Sequence, residues 1–67
     1  MKWNLERWKE EARVQRAIGR LKKEKPKLHK DTAQKMVEFW WEDMLVNKDS
    51  LSTQFMKRYG YFEEVEV

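Results

Sequence analysis

Apolar positions repeat most regularly between residues 32 and 48, with the period of an α-helix. Side chains three and four positions apart lie on one face of a helix. Asp31 can cap the N-terminus of this helix, and Gln34 stands three positions later, as in a capping box. The pattern predicts a helix from about residue 32 to 48 whose apolar face belongs to the core. The residues of this face are Ala33, Met36, Val37, Trp40, Trp41, Met44 and Leu45.

A longer helix is predicted over residues 3–24, which contain no proline and are rich in residues with high helix propensity. Pro26 ends this helix near Glu24 or Lys25, because the residue before a proline is disfavoured in the α conformation. We expect its second half to pack on the helix of residues 32–48. The apolar residues of that inner face are Val14, Ala17, Ile18 and Leu21.

A third, shorter helix is predicted after a break at residues 47–50, where Asp49 or Ser50 can act as the cap. Gly60 ends this helix, since glycine is favoured just beyond a helix C-terminus. The expected fold is all-α: a small three-helix domain over residues 1–60, with a long helix 1, an antiparallel helix 2 and a short helix 3. An acidic C-terminal tail follows over residues 61–67. The apolar stripe of helix 3 comprises Leu51, Phe55 and Tyr59, with Met56 as a further candidate.

Charge divides the chain into two unlike halves. Residues 1–30 hold 11 Lys+Arg against 4 Glu, a balance of +7, whereas residues 31–67 hold 4 against 8, a balance of −4. Six cations of the first half recur at spacings of four and three, which places them along one face of a helix. Such a face is either a solvated exterior or a binding surface for a polyanion. The six are Lys9, Arg13, Arg16, Arg20, Lys23 and Lys27.

The acidic tail has three interpretations on sequence grounds. It is a frayed end, an edge strand that needs a neighbour, or a segment that folds back onto the basic residues of helix 1. In the third case Glu63, Glu64 and Glu66 neutralise the basic face, and deleting residues 61–67 raises the affinity for a polyanion.

Several apolar residues lie off the predicted core face. Trp3 and Trp8 near the N-terminus are candidates for an exposed anchor, since tryptophan is enriched at interface hot spots. The alternative is that they cover the base of a small core. On the back of helix 2, Phe39 and Val46 stand a heptad apart and suggest a second contact surface. Together these positions favour a homodimer or a partner-bound state.

Length and composition limit what the chain can do. A domain of 67 residues buries only about 60% of the surface of its unfolded chain. There is no cysteine for a disulfide and no apolar run long enough to cross a membrane, so we expect a cytoplasmic protein. Because the core is small and no disulfide is available, stability must come from helix packing, self-association or a partner. Small, cysteine-free, aromatic-rich helical chains of this style are associated with phages and other mobile elements.

No residue constellation specifies an enzymatic reaction. His29 is the only histidine and lies in a basic connector, so no catalytic triad can be written. Glu38, Glu42 and Asp43 could hold Mg²⁺ weakly, but helix-surface acids usually serve solvation. We expect neither a catalytic site nor a metal or other cofactor.

The sequence favours a small interaction protein, acting as an adaptor, inhibitor or regulator that binds and masks a macromolecular partner. A protein partner with an acidic surface fits the basic face best. The alternative is sequence-nonspecific nucleic-acid binding, with cations neutralising phosphates and a tryptophan available for base stacking. A net charge of +3 is modest for that role. The candidate binding residues are Lys9, Arg13, Arg16, Arg20, Lys23, Trp3, Trp8 and Phe39.

Overall fold

The protein is described by a computed structural model covering residues 5–64, with side chains from Trp8 onward. Three helices follow one another: α1 (Leu5–Glu24), α2 (Lys30–Val46) and α3 (Leu51–Arg58). The predicted three-helix, all-α fold is confirmed. Antiparallel α1 and α2 form a hairpin, and α2 also packs against α3, so that α2 is the central element.

The helix ends follow the local sequence, with two corrections to α2, which ends at Val46 and not near residue 48, and which also begins earlier than expected. Helix α1 ends at Glu24, as Pro26 predicts. Helix α2 begins two residues earlier than expected, because His29 is its N-cap: the Asp31 backbone N–H donates to Nδ1 of His29 at 3.2 Å. Asp31 therefore lies in the first turn, where its charge is favourable to the helix dipole.

Helix α3 ends in a Schellman motif that turns the chain back toward α1. The Gly60 N–H donates to the Lys57 carbonyl at 3.2 Å, and the Tyr61 N–H donates to the Met56 carbonyl at 2.9 Å. Gly60 has a φ of 84°, a left-handed conformation that side chains other than glycine rarely adopt. This turn places the following tail residues against the rest of the domain.

The core lies between the second half of α1 and the inner face of α2, and one end is closed by α3 and Tyr61. All four apolar residues predicted for the inner face of α1 are buried. Tyr61, which we expected to begin the tail, is 5% exposed and is part of the core. The buried set is Val14, Ala17, Ile18, Leu21, Ala33, Val37, Met44, Met56, Tyr59 and Tyr61.

Three predicted core residues are instead exposed. Leu45 is 59% exposed, because it lies at the edge of the apolar face of α2, away from the part of that face that packs against α1 and α3. Leu51 is 70% and Phe55 is 39% exposed. Helix α3 is rotated so that Ser52 and Met56 face the core, and Phe55 packs on α2 with one side only.

Candidate binding surface

Five of the six predicted cations lie along α1, and Lys27 lies in the loop before α2. The basic face is therefore Lys9, Arg13, Arg16, Arg20 and Lys23, which span about 21 Å at 1.5 Å per residue. Its exposure is uneven. Arg20 and Lys23 are exposed, whereas Lys9, Arg13 and Arg16 are partly buried. Two of the three arginines on this face, Arg16 and Arg20, are hydrogen-bonded to the C-terminal tail.

Arg16 binds the backbone of the tail. Its Nη1 donates to the carbonyl oxygens of Gly60 and Glu63, both at 3.1 Å. Its Nη2 donates to the carbonyl oxygen of Glu64 at 3.3 Å. One guanidinium therefore binds three carbonyl groups of the tail, and the Gly60 carbonyl also accepts from the Glu63 backbone N–H at 3.1 Å.

Arg20 binds the side chain of Glu63 in a bidentate ion pair. Its Nη1 donates to Oε1 at 2.8 Å and its Nη2 donates to Oε2 at 2.6 Å. The Arg16 guanidinium adds a longer charge contact to the same carboxylate, at 3.6 Å. The hydrogen bonds from Arg20, and the charge of both arginines, hold the pKa of Glu63 below its ordinary value. Together, Arg16, Arg20 and Glu63 form what we call the carboxylate clamp.

Gly60 provides the space in which the clamp forms. A Cβ atom at this position would lie 2.7 Å from Cζ of Arg20 and would collide with its guanidinium group. Glycine is therefore needed twice here, for the backbone conformation and for the close approach of Arg20.

Tyr61 anchors the tail one residue before the clamp. Its hydroxyl oxygen accepts a hydrogen bond from Nε1 of Trp41 at 2.9 Å. Burial raises the pKa of Tyr61. The charge of Glu10 on α1 also raises it, whereas the hydrogen bond from Trp41 and the charge of Arg13 lower it. Tyr61 thus lies between α1 and α2 and contributes to the interior on both sides.

A second ion pair holds the C-terminal ends of α1 and α3 together. Nη2 of Arg58 donates to Oε1 of Glu24 at 2.7 Å. The guanidinium of Arg58 also lies over the Tyr59 ring, 5.7 Å from its centroid. Burial, together with the Glu24 carboxylate, raises the pKa of Tyr59.

The aromatic residues of α2 and α3 form a stack that the periodicity did not reveal. The ring of Trp40 lies 4.9 Å from that of Phe55 and 5.7 Å from that of Tyr59, both in stacked orientation. Trp40 and Trp41 therefore serve different contacts: Trp40 packs on α3, and Trp41 binds the tail. Beside the tail, an apolar cleft of about 270 Å³ is lined by Met44, Leu45, Lys48, Thr53 and Phe62.

The remaining candidate binding residues are apolar. Phe39 and Val46 lie on the outer side of α2, where they are 64% and 88% exposed. Trp8 is half-buried on α1, and Trp3 lies outside the described residues. Phe39 and Val46 on α2 thus lie apart from the basic face of α1.

Glu63 is one of the three tail acids predicted as able to fold back onto α1, and its carboxylate contacts Arg20 in the structure. Glu64 contributes its carbonyl oxygen to Arg16, and Glu66 lies outside the described residues. The sequence signal that could have singled out Glu63 is Gly60, because the Schellman motif at this glycine orients the tail.

Across residues 5–64, no helix is both long and apolar enough to cross a membrane. The same range shows no group of three histidine, aspartate or glutamate side chains placed to hold a metal ion. No protein-family model, curated protein or solved structure matches this chain.

Proposed function

We propose that the protein is a non-enzymatic interaction protein, an adaptor, inhibitor or regulator that binds an acidic protein surface through the basic face of α1. The carboxylate clamp is the observation that supports this proposal most. It is an arrangement in which this face already binds a glutamate side chain, through the bidentate geometry that arginine forms with carboxylates.

Exposed apolar residues support a wider contact than the basic face alone. Phe39 and Val46 on α2, together with Leu51 on α3, present large apolar side chains to solvent. A homodimer that buries the outer side of α2 fits this placement and leaves the basic face available to the partner.

Binding of nucleic acid is the second candidate, favoured by the row of five cations on α1. Two features weigh against it. The anionic group that Arg20 binds in the structure is a carboxylate, and the net charge of +3 is modest for a dedicated nucleic-acid-binding protein.

Fluorescence anisotropy can separate the two candidates. A labelled poly-glutamate peptide, a duplex DNA and a single-stranded DNA are each titrated with the protein at several salt concentrations. The proposal predicts saturable binding of poly-glutamate that weakens with salt. Tighter binding of duplex DNA, with log affinity falling by about 0.9 per phosphate neutralised, would favour nucleic acid instead. Failure of all three probes to bind at low salt would reject both.

A charge-reversal variant locates the surface. Lys9→Glu with Lys23→Glu changes the basic face outside the clamp and is expected to abolish poly-glutamate binding. The matched control is Lys35→Glu with Lys57→Glu, which makes the same change in net charge at exposed sites on α2 and α3. Equal loss in both variants would show that net charge, and not this face, determines binding.

A further inference from the structure

The tail occupies the middle of the basic face, the part where two arginines stand one helical turn apart. Arg16 and Arg20 together make five hydrogen bonds to residues 60–64. Lys23 lies beyond the tail and is exposed. A ligand that reaches from Lys9 to Lys23 would therefore meet the chain's own Glu63 on the way.

The position of Glu63 is fixed by the fold, because the residues before it are held independently. The Schellman motif sets the direction of the chain at Gly60, and Tyr61 is buried and bonded to Trp41. Glu63 follows two residues later, so its carboxylate needs little further ordering to reach Arg20.

Within the carboxylate clamp, the ion pair of Arg20 and Glu63 is open to water. The side chains of Arg20 and Glu63 are 44% and 55% exposed. Exposed ion pairs contribute little to stability, because water and salt compete for both partners. The contact between Arg20 and Glu63 can therefore open while Tyr61 stays in the core, and no unfolding of the domain is required.

We propose that Arg16 and Arg20 form a carboxylate-binding site for an acidic polypeptide segment, and that Glu63 is its built-in competitor. In the free protein Glu63 fills the site. A partner that presents glutamate or aspartate side chains displaces it and takes over the bidentate contact with Arg20. This inference rests on the proposed function and adds how the same face is regulated.

The test compares two variants that change net charge equally. Glu63→Gln removes the competing carboxylate, whereas Glu64→Gln removes the neighbouring charge and leaves the clamp in place. Both are measured by anisotropy against labelled poly-glutamate and duplex DNA, beside the unmodified chain. We expect Glu63→Gln to bind poly-glutamate about threefold or more tightly than Glu64→Gln, the order of effect for loss of one exposed ion pair. Circular dichroism confirms that both variants keep the fold.

Three outcomes contradict the inference in distinguishable ways. Equal affinities of the two variants, with the unmodified chain binding, would overturn the competitor role and leave the proposed function standing. A gain for duplex DNA alone would overturn the choice of a carboxylate ligand. If neither variant nor the unmodified chain binds any probe, the proposed function fails and the inference fails with it.

A second measurement follows the displacement itself in the unmodified chain. The carbon resonance of the Glu63 carboxylate is followed at constant neutral pH while poly-glutamate is added. Displacement predicts that this resonance moves toward its position in a glutamate without an ion pair. A resonance that stays unchanged at saturation would show that ligand and tail bind at separate places.

Discussion

Tyr61 and Glu63 stand two residues apart in one turn, yet they hold the tail to the domain by opposite means. Tyr61 is buried, and its hydroxyl oxygen is bonded to Trp41. Glu63 is exposed and is held by the charges of Arg16 and Arg20. Burial removes apolar surface from water and resists salt, whereas an exposed ion pair is screened and exchanges readily with other ions.

This difference assigns separate roles to the two residues. A chain of 67 residues has little stability to spare, so it needs Tyr61 as part of its core. Glu63 can leave its place without loss of that core. Because Tyr61 is part of the core, deleting residues 61–67 would remove a core residue together with the competing acid. The point variant Glu63→Gln is therefore a cleaner test than the deletion that the sequence suggests.

The largest effect is expected from Tyr61→Ala, which tests the buried member of the pair. Loss of a large aromatic side chain from a core costs about 3–5 kcal/mol, a large fraction of the stability of a small domain. Urea denaturation followed by circular dichroism measures it. Phe62→Ala is the control: Phe62 is 53% exposed, and the loss should be about 1 kcal/mol, from its edge-to-face contact with the Tyr61 ring. Similar losses in both variants would contradict the placement of Tyr61.

Gly60→Ala should follow in size. The left-handed conformation at Gly60 costs an alanine about 1–2 kcal/mol, and the new methyl group must push Arg20 aside. The control is Gly19→Ala, at an exposed helical position with open space around the added methyl group. It should stabilise the protein by about 0.5–1 kcal/mol, so the two glycine substitutions should shift the urea midpoint in opposite directions.

Tyr61→Phe isolates the hydroxyl group and is expected to cost about 1 kcal/mol, because Nε1–H of Trp41 is left without its acceptor. A double-mutant cycle with Trp41→Phe gives the coupling energy directly. Additive losses in that cycle would show that the hydrogen bond makes no net contribution.

The smallest effect on stability is expected from Glu63→Gln, and it should depend on pH. The folded state lowers the pKa of Glu63, so its contribution is present above the unfolded value of about 4.3 and is lost as the pH falls through the lower, folded value. Urea denaturation at neutral and acidic pH should show a smaller loss on acidification for Glu63→Gln than for Glu64→Gln. Identical acid profiles would show that the clamp adds no stability.

Local signals predicted the helices well. Pro26 and Gly60 marked the ends of two of them, and the four apolar residues of α1 lie in the core as the 3.6-residue period requires. The start of α2 was placed two residues late, because histidine is not among the residues expected as an N-cap. The spacing of the cations placed five of the six on one face of α1, since that depends on helix geometry alone, whereas Lys27 lies beyond the end of the helix.

The sequence by itself determined the three helices, the inner face of α1, the shared direction of the basic residues and the presence of acids in the tail. Each follows from the conformation of a few neighbouring residues. Only the tertiary structure decided that Tyr61 is buried, that Trp40 packs on α3 while Trp41 binds the tail, and that Glu63 reaches Arg20. These contacts join residues 15 to 43 positions apart, and the path of the chain through space, which local periodicity does not encode, brings them together.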